Sequence, residues 1–285
     1  MNLISRERAQ QAILEKAPAT FTAPELALLD QAIAAASQTI ENWCRRAFAV
    51  QRYDERTQGH EGTPYLFLSQ APILAVERVT ADPTVVLEIT NTAATNQRAS
   101  VQVTDTGLTL ARVVSGTLTL DTSVTWLGST TLTAVAAAVN GLGNGWSARV
   151  PRSAYALWPS ADLRPIQGAL FCALGAWAGI KQHVTDLPSY EIEEEAAVLY
   201  RTDAPWPTSP GSVRVCYTAG YPEIPAPVQE ATAEYAAVLF WQAWRDPGAA
   251  SINVVGAGMS TYSLRNVLLP GACKGLLLPY RRTLV

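Results

Sequence analysis

Histidine is nearly absent from this 285-residue chain: only His60 and His183 occur, with two methionines and four cysteines. Cys44, Cys172, Cys216 and Cys273 stand far apart and form no Cys-x-x-Cys pair, so neither a zinc site nor a disulfide framework is expected; free thiols fit better. Charge is scarce as well. Charged residues are 16% of the chain, where about 25% is usual. A compact monomer of this mass exposes roughly 12,000 Å², leaving about one charge per 260 Å². Either neutral polar residues solvate the surface, or much of it faces other subunits.

The 21 basic and 24 acidic residues give a net charge of −3. A non-specific nucleic-acid binder needs a basic surplus to neutralise phosphates, and none exists here. No apolar run is long enough to span a membrane: residues 122–148 are uncharged but crowded with Gly, Thr and Asn, and 169–180 are too few. Arg6, Glu7 and Arg8 fall where a secretory signal would be apolar, so a soluble intracellular product is expected.

The motifs of common catalysts are missing too. There is no His-Glu-x-x-His, no Gly-x-Ser-x-Gly and no P-loop. His60 sits between glycines in an expected turn. His183 and Asp186 make one imidazole–carboxylate spacing, which arises easily by chance. The Gly-rich segment 140–145 lacks the spacing of a phosphate cradle and reads as a turn. No enzymatic activity, metal or cofactor is expected.

What the sequence does contain is a change of period along its length. Thr22 and Glu25 form a capping box. Leu26, Leu29, Ile33, Ala36, Ile40, Trp43 and Ala47 then trace one apolar helical stripe, with Glu41 and Arg45 as an i,i+4 pair. A weaker helix over 5–16 precedes it. Residues 51–56 and 65–68 read as two strands joined by a tight glycine-bounded turn, and 73–80 as a third strand closed by Asp82 and Pro83. Residues 84–150 are rich in Thr and Val and cut by glycines at short intervals, the pattern of a small antiparallel sandwich or barrel, with one short helix at 132–139. A helix is expected over 167–183, a strand over 212–218, a helix from Pro225 to the stop at 246–248, a flexible segment at Gly256–Gly258, and a last helix over 272–278.

The expected fold class is α+β. Residues 1–81 and 189–285 form a discontinuous helical core with a small antiparallel sheet, 82–150 an inserted all-β domain, and 151–188 an aromatic, loop-rich connection. Glu191, Glu193, Glu194 and Glu195 read as a solvated helix face, or as the lining of a channel that repels a polyanion. Trp241 and Trp244 crowd one helix end with Phe240, more aromatic surface than one face buries, and suit a subunit interface. The tail from Leu276 to Arg282 is apolar and then basic: a docked terminal helix, or a peg for another protein.

Four segments together resemble a known family: 40–48 leading to Tyr53, Ala71 to Val79, Tyr217-Thr-Ala-Gly-Tyr-Pro222 running to Ile224 and Pro225, and Leu278-Pro-Tyr-Arg-Arg282 with Val255 to Tyr262 before it. They are similar to the head-to-tail connector, or adaptor, proteins of tailed bacteriophages, over about half the chain. The resemblance implies a ring of about twelve copies below the portal. It implies a structural role in the virion neck, extending the DNA channel and docking the tail-completion or stopper protein, after assembly in the host cytoplasm. DNA would pass without specific binding and no membrane would be involved. On this reading Tyr280, Arg281, Arg282, Trp241 and Trp244 contact the portal or a neighbouring subunit, and Glu191, Glu193, Glu194 and Glu195 lie at the channel or its rim. Removing the tail from Pro279 onward is then expected to abolish attachment and leave the fold intact. The alternative is a virion carbohydrate- or receptor-binding module carried by the β insert.

Overall fold

In the computed structural model, residues 2–13, 21–60, 62–243, 251–254, 258–261 and 269–282 are described. Helix α1 (Arg6–Ala12) starts at Ser5, whose hydroxyl accepts from the Arg8 amide. Helix α2 (Ala23–Cys44) opens on the capping box, with the Thr22 amide donating to Glu25 at 2.8 Å. Its apolar stripe is buried at Leu29, Ile33, Ala36 and Ile40. It stops because Arg45 turns left-handed, φ 55°. The Glu41 carboxylate accepts from the Phe48 amide rather than pairing with Arg45.

The strands follow: β1 (Gln51–Thr57), β2 (Tyr65–Phe67), β3 (Ile73–Asn91), β4 (Asn96–Val103), β5 (Gly107–Val114), β6 (Thr117–Leu120), β7 (Val124–Thr125), then α3 (Leu132–Gly141) and β8 (Trp146–Arg149). After them come β9 (Leu170–Phe171), β10 (Ala178–Asp186), β11 (Glu191–Glu193), β12 (Val198–Tyr200) and β13 (Val213–Ala219). Helix α4 (Ala226–Gln242), a β14 (Ser251–Val254) and β15 (Gly258–Thr261) hairpin, and α5 (Gly271–Leu277) complete the order. This is a mixed α+β fold, and none of its described sheets closes into a barrel.

The central sheet runs β1-β13-β3-β10, all antiparallel, with β8 on the far end of β3. Helices α1, α2, α4 and α5 make one apolar core at its near end. A second core lies between one face of this sheet and the small sheet β11-β12-β2. A third belongs to the sheet β6-β5-β4-β9 with α3 and β8, where Leu87, Val101, Leu108, Leu110, Leu132 and Val135 are fully buried.

Four expectations are corrected. First, 51–56 and 65–68 do not form a hairpin, since β1 pairs with β13 and β2 with β12. Gly59 serves close approach instead of a turn: a Cβ there would meet the Trp206 Cβ at 2.4 Å. Second, Asp82 and Pro83 do not end the third strand. Asp82 takes φ 58°, and β3 continues, exchanging β13 for β10 as its neighbour. The chain thus crosses residue 82 inside one strand that serves both the core sheet and the insert. Third, 167–183 is not helical. Leu174 and Gly175 both have positive φ, which breaks a helix, and Gly179 lets the Val85 side chain within 3.0 Å of where its Cβ would stand. Fourth, the acidic run is not a helix face but an edge strand and turn, on which Glu191, Glu193, Glu194 and Glu195 are exposed as expected. Of the remaining expectations, Trp244 and Gly256 lie outside the described residues.

Candidate functional site: a hub, two clefts and an acidic turn

Segments far apart in the sequence meet at the near end of the central sheet. Strand β13 leaves the sheet through Gly220, φ 125°, where any Cβ would stand 2.4 Å from the Ala49 carbonyl oxygen. Only glycine permits that approach. It allows the Gly220 amide to donate to Pro72 O at 3.0 Å and the Tyr221 amide to Phe48 O at 2.8 Å. The Tyr221 ring stacks on Phe48 with centroids 5.9 Å apart, and Tyr280 meets both rings edge-on at 6.2 Å. Arg46 donates to the Tyr221 hydroxyl at 3.1 Å.

The tail closes this hub. Arg282 donates its amide to Cys44 O at 3.0 Å and a guanidinium N–H to Leu68 O, while Arg281 lies 5.0 Å above the Trp43 ring. Tyr280, Arg281 and Arg282 are therefore held by their own chain. Trp241 packs on Phe240, 5.4 Å between ring centroids, against the same helical core on which Tyr280 rests.

Beside the hub a cleft of about 650 Å³ is lined by Arg45, Arg46, Arg281 and Arg282, with Glu55 and Glu195 as its carboxylates. None of the four arginines forms an ion pair among the described residues. Arg46 Nε and Arg282 Nη1 are buried without an acceptor. Burial, and then the like charge of Arg46, hold the Arg282 guanidinium below its usual range. Such a cleft offers donors to an anion. The acidic turn lies at its edge through Glu195.

The two faces of the central sheet differ. On one, Tyr53 stacks on Tyr217 at 5.4 Å and the Tyr217 hydroxyl donates to Glu55 at 2.8 Å. Burial pushes that phenol upward. On the other, Arg214 forms a bidentate pair with Asp54 (2.5 and 2.8 Å) and donates to Asp162 O at 2.8 Å. Arg52 pairs with Glu77 there, and Arg78 with Asp162 and Asp186. His183 is buried on this face and donates Nε2–H to Gly211 O at 2.9 Å, leaving Nδ1 without a partner. Because the Asp186 carboxylate is held by Arg78, the sequence spacing of His183 and Asp186 does not become a contact.

Sequence reasoning missed this charged face. Its signal was the even-numbered alternation Arg52, Asp54, Arg56 along β1, which repeats at Arg214 on the neighbouring strand. A second cleft opens over it, about 890 Å³, with Arg56, Arg164 and Lys181 as cations and Asp105 as the carboxylate. The thiols are poor nucleophiles. Burial lifts Cys44 to about 11 and Cys172 and Cys273 to about 12. Among the described residues no group of His, Cys, Asp and Glu is disposed to hold a metal ion. No described helix is long and apolar enough to cross a membrane.

The class defined by this architecture is an α+β protein with a helical core, a central antiparallel sheet and a further β sheet, bordered by polar clefts. No family model matches the chain, and no curated protein does. Among solved structures it is similar to three from gene transfer agent (GTA) particles. The neck of the empty GTA particle, computed with C6 symmetry, shares 15% identity over 99% of this chain and 91% of that one, TM-score 0.42. The virion of the native GTA particle shares 15% over 99% and 91%, TM-score 0.37. The neck of the native particle, computed with C12 symmetry, shares 14% over 100% and 96%, TM-score 0.31. At this identity and these scores the likeness is one of chain path, and by itself it carries no functional argument.

Proposed function

We propose that this chain is a structural connector of a phage-like virion, one protomer of a ring at the junction of head and tail. The observation that carries the reading is the hub. The segments around Phe48, Pro72, Tyr221 and Tyr280, in which the resemblance to head-to-tail connectors resides, converge on a single contact although some 230 residues separate the first from the last. A resemblance scattered by chance along a sequence has no reason to assemble in space.

The surface suits lateral packing. Leu118, Leu120 and Leu127 of the insert, and Leu157, Phe171 and Leu174 of the connection that follows it, are all more than half exposed. Single exposed apolar residues are ordinary, but this many on one lobe fit an interface core. In the ring the protomer extends the DNA channel, meets the portal on one side and the tail-completion protein on the other. The four-arginine cleft, with Arg281 and Arg282, takes carboxylates of the portal. The exposed acidic turn belongs to the subunit seam at the rim. The role involves no bond made or broken. Particles produced without this chain should accumulate as DNA-filled heads and free tails, counted by electron microscopy; normal tailed particles would overturn the proposal.

A further inference from the structure

The second cleft carries more positive charge than its own chain neutralises. Arg56, Arg164 and Lys181 line it, and none forms an ion pair among the described residues. Arg56 donates to Pro165 O at 3.2 Å, but its Nε is buried without an acceptor. Burial and the like charges of Arg214 and Arg164 press on the same guanidinium, opposed by Asp54 and Asp105. His183, behind the cleft wall at Gly211, bonds the Gly211 carbonyl and supplies no negative charge. An unneutralised group of cations in a concave site is a vacancy for carboxylates.

The complementary surface is on the same molecule, but not on the same side. Glu191, Glu193 and Glu194 are exposed on an edge strand and turn and form no ion pair among the described residues. Glu195, next in line, reaches the four-arginine cleft, which also contains Glu55. Arg56 lines the second cleft. Glu55 and Arg56 are consecutive on β1, so they point to opposite faces of the sheet. The acidic turn and the second cleft therefore flank the central sheet from opposite sides. One protomer cannot join its own two surfaces, but two copies can, and each further copy repeats the contact. That is a head-to-tail interface of the kind that closes a ring.

We infer that the acidic turn of one copy, with Glu191, Glu193 and Glu194, seats in the Arg56–Arg164–Lys181 cleft of the next. The inference rests on the ring reading and gives the seam its charged contact. The test uses two full-length variants: a basic turn, Glu191→Lys with Glu193→Lys and Glu194→Lys, and an acidic cleft, Arg164→Glu with Lys181→Glu. Circular dichroism confirms that each is folded, and sedimentation velocity at low salt measures association. Wild type is expected to self-associate, more weakly as salt rises. Each variant alone should associate at least about ten-fold more weakly. Mixed together, the two should recover association, because every turn again meets a cleft of opposite sign. Variants that associate like wild type, a mixture that recovers nothing, or a wild type that remains monomeric would each overturn the seat. Rings of either variant on portal-bearing heads would sink this contact and leave the connector reading standing. Absence of wild-type rings from such heads would sink that reading itself.

Discussion

Asp121 shows how much one side chain holds together in the insert. Its carboxylate accepts from Arg112 Nε at 2.8 Å, Asn144 Nδ2 at 3.0 Å and Trp146 Nε1 at 2.7 Å, joining β5, the turn after α3, and β8. Burial alone would raise its pKa; the Arg112 and Trp146 hydrogen bonds outweigh it, so the carboxyl lies below its ordinary value. A depressed carboxylate stabilises the fold above its unfolded pKa, and that contribution is lost as pH falls through the folded value. Asp121→Ala should cost about 3 kcal/mol in urea unfolding at neutral pH, and less below pH ~4. A cost that does not change with pH would remove the ionic account. His183 has the opposite charge type but the same sign of slope. Burial first, and then Arg164, Arg214 and Arg56, keep its imidazole below 6.5. Because the unfolded chain then binds the extra proton, stability is complete above pH 6.5 and declines beneath it. His183→Gln should flatten that decline in thermal melts at successive pH values; an unchanged profile would assign it to other groups.

The tail is best judged as an element. Because Tyr280 packs on Phe48 and Tyr221 while Arg282 bonds Cys44 and Leu68, removing residues from Pro279 onward cannot leave the isolated fold untouched, contrary to the sequence expectation. Tyr280→Ala should cost about 2 kcal/mol, roughly half the loss of a fully buried aromatic. Denaturant unfolding of the full chain reads it directly, and an unshifted midpoint would mean the tail does not dock. Local chemistry made some elements legible. The capping box and apolar stripe place α2, and a β-branched run places β13, because these signals act within a few residues. Strand partners were not legible: β1 meets β13 across some 160 residues, and no nearby turn marks that pairing. Strand β10 was hidden because its apolar and small residues carry no clean period, and only Leu174 and Gly175 reveal the turn before it. Of the candidate site, the tail and the acidic run stood out by composition. The charged sheet face did not, since its members become neighbours only through strand register.

At the scale of the whole molecule, two of the three cores are threaded by one long strand, β3, which runs from the central sheet into the sheet region after residue 82. The chain has a helical end, a charged waist and a β lobe studded with exposed apolar residues, three surfaces of different chemistry. The sparse charge fits the proposed ring, in which flanks buried against neighbours would need no solvation. The most direct measurement is cryo-electron microscopy of intact particles, with the neck reconstructed under rotational symmetry. The account predicts a closed circle of these chains around an open axis between head and tail, with each hub facing the portal side. Complete, infectious particles whose neck holds no such density, or in which the chain sits elsewhere in the virion, would contradict it.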